Sequence, residues 1–347
     1  MAALKSIRIV GGGLAGLTLG IGLRQRGIPV TVWEAGHYPR AKVCGEFVSG
    51  RGQAVLEKFG LSELFLQSGA IFARTSAFFL GQARSPVRPL PKPALCLSRF
   101  AMDALLARHF REAGGELREG HRWREKDFGE GIVRASGRRL RPVVGGWRWF
   151  GLKVHAQNVS LEADLEMHGS PGGYVGLCRL NDGRVNICGL FRRPADAREP
   201  APRWPDALRT GPDTLLRQRL AAAHFDEASF CAVAGLSLRP ERACRRAECC
   251  IGDSLTMIAP ATGNGMSMAF EAAELALAPL AAYSQGEASW EQARRAIATA
   301  CDESFARRLA WAKVLQWLMF APVLRGPIGA VALQSDWLWR KMFASTR

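Results

Sequence analysis

The chain has 347 residues with 47 Lys and Arg against 31 Asp and Glu, a formal net charge of +16, and that length holds one large core or two moderate ones. Nine cysteines, an odd number with no C-x-x-C pair, argue against a disulfide framework and for a reducing cytosol. The basic clusters at Arg122–Lys126, Arg138–Arg141, Arg192–Arg209 and Arg239–Arg246 lack interleaved stacking aromatics, which excludes nucleic acid and leaves solvated faces or an acidic partner.

The chain enters its first strand within about six residues and shows no signal-peptide core, so a cytoplasmic location is expected. Ile7 to Val10 reads as a buried parallel strand. Gly11, Gly13 and Gly16 then fit G-x-G-x-x-G where that strand turns into a helix over Leu14 to Arg26. Gly27 and Pro29 stop the helix, and Val30 to Trp33 forms the second strand. Glu34 stands where a carboxylate takes the adenosine ribose hydroxyls of a dinucleotide. With no arginine at Ala35, Gly36 or His37 to hold a 2′-phosphate, the resident nucleotide is FAD or NAD and not NADP.

In the middle of the chain, Gly151 to Ala156 alternates so that Lys153 and His155 share one face of a strand. If that face lines a cavity, His155 is a candidate acid or base; otherwise both residues meet solvent. Asp182-Gly183, between two apolar runs, signals a hairpin turn. Five prolines between Arg192 and Pro212 mark an exposed connection, with a short helix after it.

Cys249 to Ile251 reads as another strand, ending in Gly252-Asp253, whose acid can accept hydrogen bonds from a polyol such as ribityl. Pro260 stiffens the loop that follows, and Gly263 and Gly265 allow close backbone approach to a flat ring. A helix from Met266 through Leu280 turns its positive end toward that ring. The C-terminal stretch Leu309 to Leu333 is apolar but broken by Lys313, Pro322, Arg325 and Pro327, too short to span a bilayer. It either roofs an apolar substrate cavity or lies on the inner membrane face through Trp311, Trp317, Trp337 and Trp339.

The two glycine-bearing segments, in this order, resemble the flavoprotein superfamily of p-hydroxybenzoate hydroxylase, flavin-dependent halogenases and geranylgeranyl reductases. Gly252-Asp253 with Pro260 is similar to its second FAD fingerprint, and Pro39 to Glu46, including Arg40, to the segment after the first βαβ unit of the geranylgeranyl-reductase-like branch. Ser98-Arg99 with Asp103 resembles its FAD-contact helix, and Pro171 to Tyr174 its substrate-domain strand. The resemblance covers about residues 5–285 and implies FAD as cofactor, contacted by Gly11, Gly13, Gly16, Glu34, Arg40, Arg99, Asp253, Pro260, Gly263 and Gly265. It also places Cys44 over the isoalloxazine, as a tuning group, a proton donor or a small buried hydrophobe, and makes Tyr174 a second catalytic candidate. Glu46 is expected to bind substrate or, more simply, to be a solvated loop acid.

The chain departs from this pattern at the usual Asp-Gly of the third signature, absent from Val133–Arg139 and from Val143–Gly146. That leaves NAD(P)H as transient reductant uncertain and makes a reductase or carrier protein a candidate partner. The expected fold is α/β: a doubly wound, Rossmann-like FAD-binding domain with an inserted antiparallel substrate sheet and C-terminal helices. Residues 1–70, 96–150 and 245–300 should build the FAD domain, 71–95 and 151–244 the substrate domain, and 301–347 a helical segment. The expected activity is that of an FAD-dependent oxidoreductase, monooxygenase-like, on an apolar aromatic, polyketide or isoprenoid substrate. The alternatives are a reductase or dehydrogenase of prenyl or acyl chains, and a catalytically decayed FAD-binding subunit.

Overall fold

The apolar runs beginning at Ile7 and at Cys249 meet in one sheet. A computed structural model describes residues 3–125, 127–198, 202–321 and 327–345. The first part contains β1 (Ile7–Val10), α1 (Leu14–Arg24), β2 (Val30–Glu34), β3 (Phe47–Val48), α2 (Arg51–Lys58), α3 (Leu61–Gln67), β4 (Ile71–Leu80), β5 (Ala83–Arg84), β6 (Arg88–Cys96), α4 (Arg99–Glu112) and β7 (Glu116–Glu119). Next come β8 (Ile132–Arg134), β9 (Trp147–Gln157), β10 (Leu165–Ser170), β11 (Gly173–Arg179), β12 (Val185–Pro194), α5 (Trp204–Arg209), α6 (Leu215–Arg219), β13 (His224–Ala234) and β14 (Cys249–Cys250). The chain closes with α7 (Gly265–Gln285), α8 (Trp290–Phe320), α9 (Pro327–Gln334) and α10 (Asp336–Ser345). Lys126 of the first basic cluster, Pro200, and residues 322–326 of the C-terminal stretch lie outside the described residues.

Five strands pair in the order β14-β8-β1-β2-β7, all parallel. Strands from three separate stretches of sequence thus share one sheet, with α1 buried along nearly its whole length against α7. A helix apolar all round is what a position inside a packed layer requires.

The second sheet has nine strands, ordered β13-β9-β12-β11-β10-β4-β6-β3 with β5 on β4. It is antiparallel except for the β10–β4 pair. Phe47–Val48 and Trp147–Phe150, which the sequence reading put with the FAD-binding parts, pair in this sheet. The β11–β12 connection turns at Asp182 and Gly183 with φ of 55° and 69°, the type I′ geometry that an Asp-Gly pair supports. Among the described residues, no helix is long and apolar enough to cross a membrane.

Candidate flavin and substrate site

A cavity of about 1010 Å³ runs between the two sheets. One end is built by the turn from β1 into α1. Gly11 sits at φ +114°, and a Cβ there would lie 2.2 Å from the Ala135 carbonyl oxygen. A Cβ on Gly16 would lie 2.0 Å from the Gly11 oxygen. Gly13 differs: its nearest neighbour would be the Lys42 Nζ, at 3.7 Å, and it faces the cavity. α1 starts at this residue with no side-chain cap and no acid in its first turn, so its free N–H groups are open to an anion.

Above this turn lies a cationic cradle. Arg99 Nε and Nη2 donate to the two Asp103 oxygens at 2.8 and 3.0 Å, and the Lys42 ammonium stands 3.1 Å from Asp103 Oδ2. Asp103 is fully buried; burial works to raise its pKa, but the Arg99 and Lys42 charges outweigh it and hold the carboxyl below its ordinary range. One carboxylate thus orders two cations whose combined charge exceeds its own, and Lys42 and Arg99 both line the cavity.

Glu34 ends β2 and accepts from the backbone N–H of Gly12 at 2.9 Å and of Gly36 at 2.8 Å. Arg40 grips the same carboxylate at 2.8 and 2.7 Å. Burial opposes ionisation of Glu34, but the Arg40 and Gly36 hydrogen bonds prevail and lower its pKa. The arginine excluded at positions 35–37 therefore arrives from position 40, as the partner of Glu34. Asp253, just after β14, opens onto the cavity with its side chain accessible, and no hydrogen bond ties its carboxylate among the described residues. Burial raises its pKa, while Arg138, also on the cavity wall, pulls it down.

An uncapped helix N-terminus, a glycine turn open at one position, a surplus of cationic charge and an unengaged carboxylate suit a pyrophosphate joined to a polyol. These residues fit FAD. The strand end where Asp-Gly is absent carries Ser136-Gly137, which also line the cavity.

The ring end is framed by Cys44-Gly45, Phe47 and the Pro260–Gly265 loop that leads into α7. Burial pushes the Cys44 thiol up, against the pull of Arg99, and the Glu46 amide lies 3.5 Å from its sulfur. Glu46 is not a solvated loop acid: it is wholly buried at φ 61°. Its carboxylate meets His155 Nε2 at 2.6 Å, Lys153 Nζ at 3.3 Å and the Arg99 amide at 2.9 Å. The face shared by Lys153 and His155 therefore turns inward, onto an acid brought from another stretch of chain. These three groups pack beneath the segment carrying Cys44, and His155 does not itself line the cavity. Asn186 on β12 donates to the Cys44 carbonyl at 2.9 Å, so the substrate sheet holds this segment from two strands.

Tyr174 lines the chamber beyond, and its hydroxyl donates to Gln316 Oε1 of α8 at 3.2 Å. Leu315, Met342 and Phe343 close the far side, so C-terminal helices do roof the cavity. Lys42, Arg138 and Gln316 were not singled out from sequence. Lys42 alone had a local signal, a lysine two residues after Arg40 in the segment that follows the βαβ unit.

Residues 5–142 match the family model described as FAD binding domain. Rifampicin monooxygenase of Streptomyces venezuelae is 32% identical over 145 residues, 40% of this chain and 30% of that protein. The chain thus spans under a third of the curated relatives it matches. The flavin-dependent brominase Bmp2 superposes with a TM-score of 0.72 at 16% identity, over 99% of this chain and 93% of that one. The p-nitrophenol 4-monooxygenase PnpA of Pseudomonas putida DLL-E4 gives 0.72 at 16%, over 99% and 98%. Residues 5–142 are thus similar to an FAD-binding domain, and the whole chain shares the fold of the flavin-dependent brominase and the p-nitrophenol monooxygenase.

Proposed function

We propose that this FAD-binding protein of the p-hydroxybenzoate hydroxylase-like superfamily is a monooxygenase-type oxidoreductase for an apolar small molecule. One observation carries the reading: a single cavity runs from the uncapped N-terminus of α1 to an apolar chamber roofed by α8 and α10. The kinship with rifampicin monooxygenase supports it. The chemistry that FAD supplies when bound is two-electron redox, with oxygen or an unsaturated carbon as acceptor.

This chain's own residues bind and exclude. Gly11, Gly13 and Gly16 shape the pyrophosphate turn, Lys42 and Arg99 neutralise it, Asp253 accepts from ribityl, and Glu34, held by Arg40, takes the ribose hydroxyls. Pro260, Gly263 and Gly265 bring backbone against the ring. Cys44, a neutral thiol, packs at the ring face, with His155 acting on it only through Glu46. Tyr174 presents a protonated hydroxyl to the substrate chamber, because burial pushes its pKa far up. The roof keeps water from the reacting atoms.

Ser136 in place of the usual acid supports slow NAD(P)H oxidation by the isolated chain and electron supply from a partner reductase. The test supplies candidate substrates to the photoreduced holoprotein under oxygen-18 gas. A product heavier by one labelled oxygen supports the monooxygenase. In a parallel anaerobic reaction, a product gaining two hydrogens would establish the prenyl- or acyl-chain reductase instead, and no product under either condition would point to a decayed subunit.

A further inference from the structure

At the end of the cavity away from the flavin site, two neighbouring buried groups each carry a polar atom without a hydrogen-bond partner among the described residues. Ser76 on β4 and Arg88 on β6 are directly paired across the antiparallel ladder and so share one face. Each is 6% exposed. Arg88 Nε donates to Asp336 Oδ1 at 2.7 Å and Nη1 to the Leu333 carbonyl at 3.1 Å, which fixes the guanidinium. Among the described residues its Nη2 has no hydrogen-bond partner, and neither has the Ser76 hydroxyl. Over nine-tenths of buried polar groups are satisfied, so two adjacent exceptions on one sheet face, with Ser76 on the cavity wall, point to a missing ligand atom. Ser76, Phe78, Leu90, Leu165 and Phe343 line this end of the cavity beside Glu166, and Arg88 reaches it as the cross-strand neighbour of Ser76.

We infer that Ser76 and Arg88 form a subsite for a carboxylate at the end of a long apolar substrate. A guanidinium only donates, and beside it the hydroxyl is best used as a second donor, so the ligand must accept. A carboxylate matches the planar N–H face of arginine, and the net charge of +16 favours entry of anions. Asp336 compensates Arg88 only in part, because that aspartate side chain is itself 69% exposed.

The register also sets the substrate's length. Cys188, which lines the cavity near Cys44, pairs with Gly176, Gly176 with Met167, and Met167 with Phe78, two residues beyond Ser76 on the same face. Three interstrand steps span about 14 Å. Ser76 lies two residues, about 7 Å, along β4 from Phe78, so the acid would sit about 16 Å from the reacting end, as in a medium-chain fatty or polyketide acid.

This inference rests on the reading of the cavity as a substrate chamber, and its test uses no turnover. Dodecanoate and its neutral analogue dodecanamide are titrated into oxidised holoprotein by calorimetry, with retained FAD reporting the fold. Wild type should bind the acid about tenfold or more tighter than the amide, the worth of one hydrogen bond to a charged group. Ser76→Ala should weaken the acid severalfold, and Arg88→Gln should erase the preference. Asp336→Asn should tighten acid binding by freeing Arg88, so the test stands even where Arg88→Gln does not fold. Equal affinity for acid and amide in wild type, or a preference unchanged by Ser76→Ala and Asp336→Asn, overturns the subsite. Either result leaves the monooxygenase reading to its own oxygen-labelling test.

Discussion

Replacing Gly13 by alanine should separate cofactor binding from folding. The Cβ so added has only the Lys42 Nζ nearby, at 3.7 Å, and the residue's φ of −88° is ordinary for any side chain. The apoprotein should therefore keep its stability or gain about 0.4–1 kcal/mol from a stiffer unfolded chain. The same methyl stands in front of the free N–H groups of α1, where the pyrophosphate must approach. Displacing one or two charge-assisted hydrogen bonds costs about 1.5–3 kcal/mol each, so FAD affinity should fall by about 10-fold to about 150-fold per bond. Gly16→Ala is the contrast: its Cβ would lie 2.0 Å from the Gly11 carbonyl oxygen, and the apoprotein itself should lose about 4 kcal/mol or more. Thermal melts of the apoproteins and FAD fluorescence titrations measure both quantities. A Gly13→Ala protein that melts normally and binds FAD at wild-type affinity would refute the placement of pyrophosphate at this turn.

Glu46→Gln leaves the wholly buried Lys153 without its charge partner and should cost about 3–5 kcal/mol in urea denaturation, partly restored by adding Lys153→Met. Asp103 and Glu34 both titrate below their ordinary range in the folded protein, so their stabilising contribution is present at neutral pH. It is lost only as pH falls through those depressed values. FAD retention should thus hold down to about pH 4 and decline below it, and release already complete above about pH 5 would contradict both assignments. With its thiol pushed up by burial, Cys44 should resist alkylation by iodoacetamide at neutral pH while the exposed Cys244 reacts first. Peptide mapping by mass spectrometry reads the order.

The fold was legible because its strongest signals are local. Ile7 to Glu34 carries strand, glycines, helix and acid within one stretch, and Asp182-Gly183 fixes its own turn. The site was legible only where a residue's role is set by its neighbours in sequence. Glu46 was misread because its environment is non-local: its partners come from β9 and from the start of α4, about fifty to a hundred residues on. A usable clue did exist. Lys153 and His155 on one strand face imply, if that face is buried, a carboxylate to match them. Arg40 was placed near the cofactor, but its grip on Glu34 needs the chain to double back within six residues, which spacing alone does not show. Gln316 and Arg88 depend on how α8 to α10 dock, and no periodicity in their own segments encodes that contact.

The most direct test of the account is the flavin content of the purified chain. Reconstitution with FAD should give a yellow protein holding one FAD per chain, bound without a covalent link and released intact by heat denaturation. A chain that stays colourless after exposure to excess FAD, while melting cooperatively as a folded protein, would contradict the central claim that this cavity is built around a flavin.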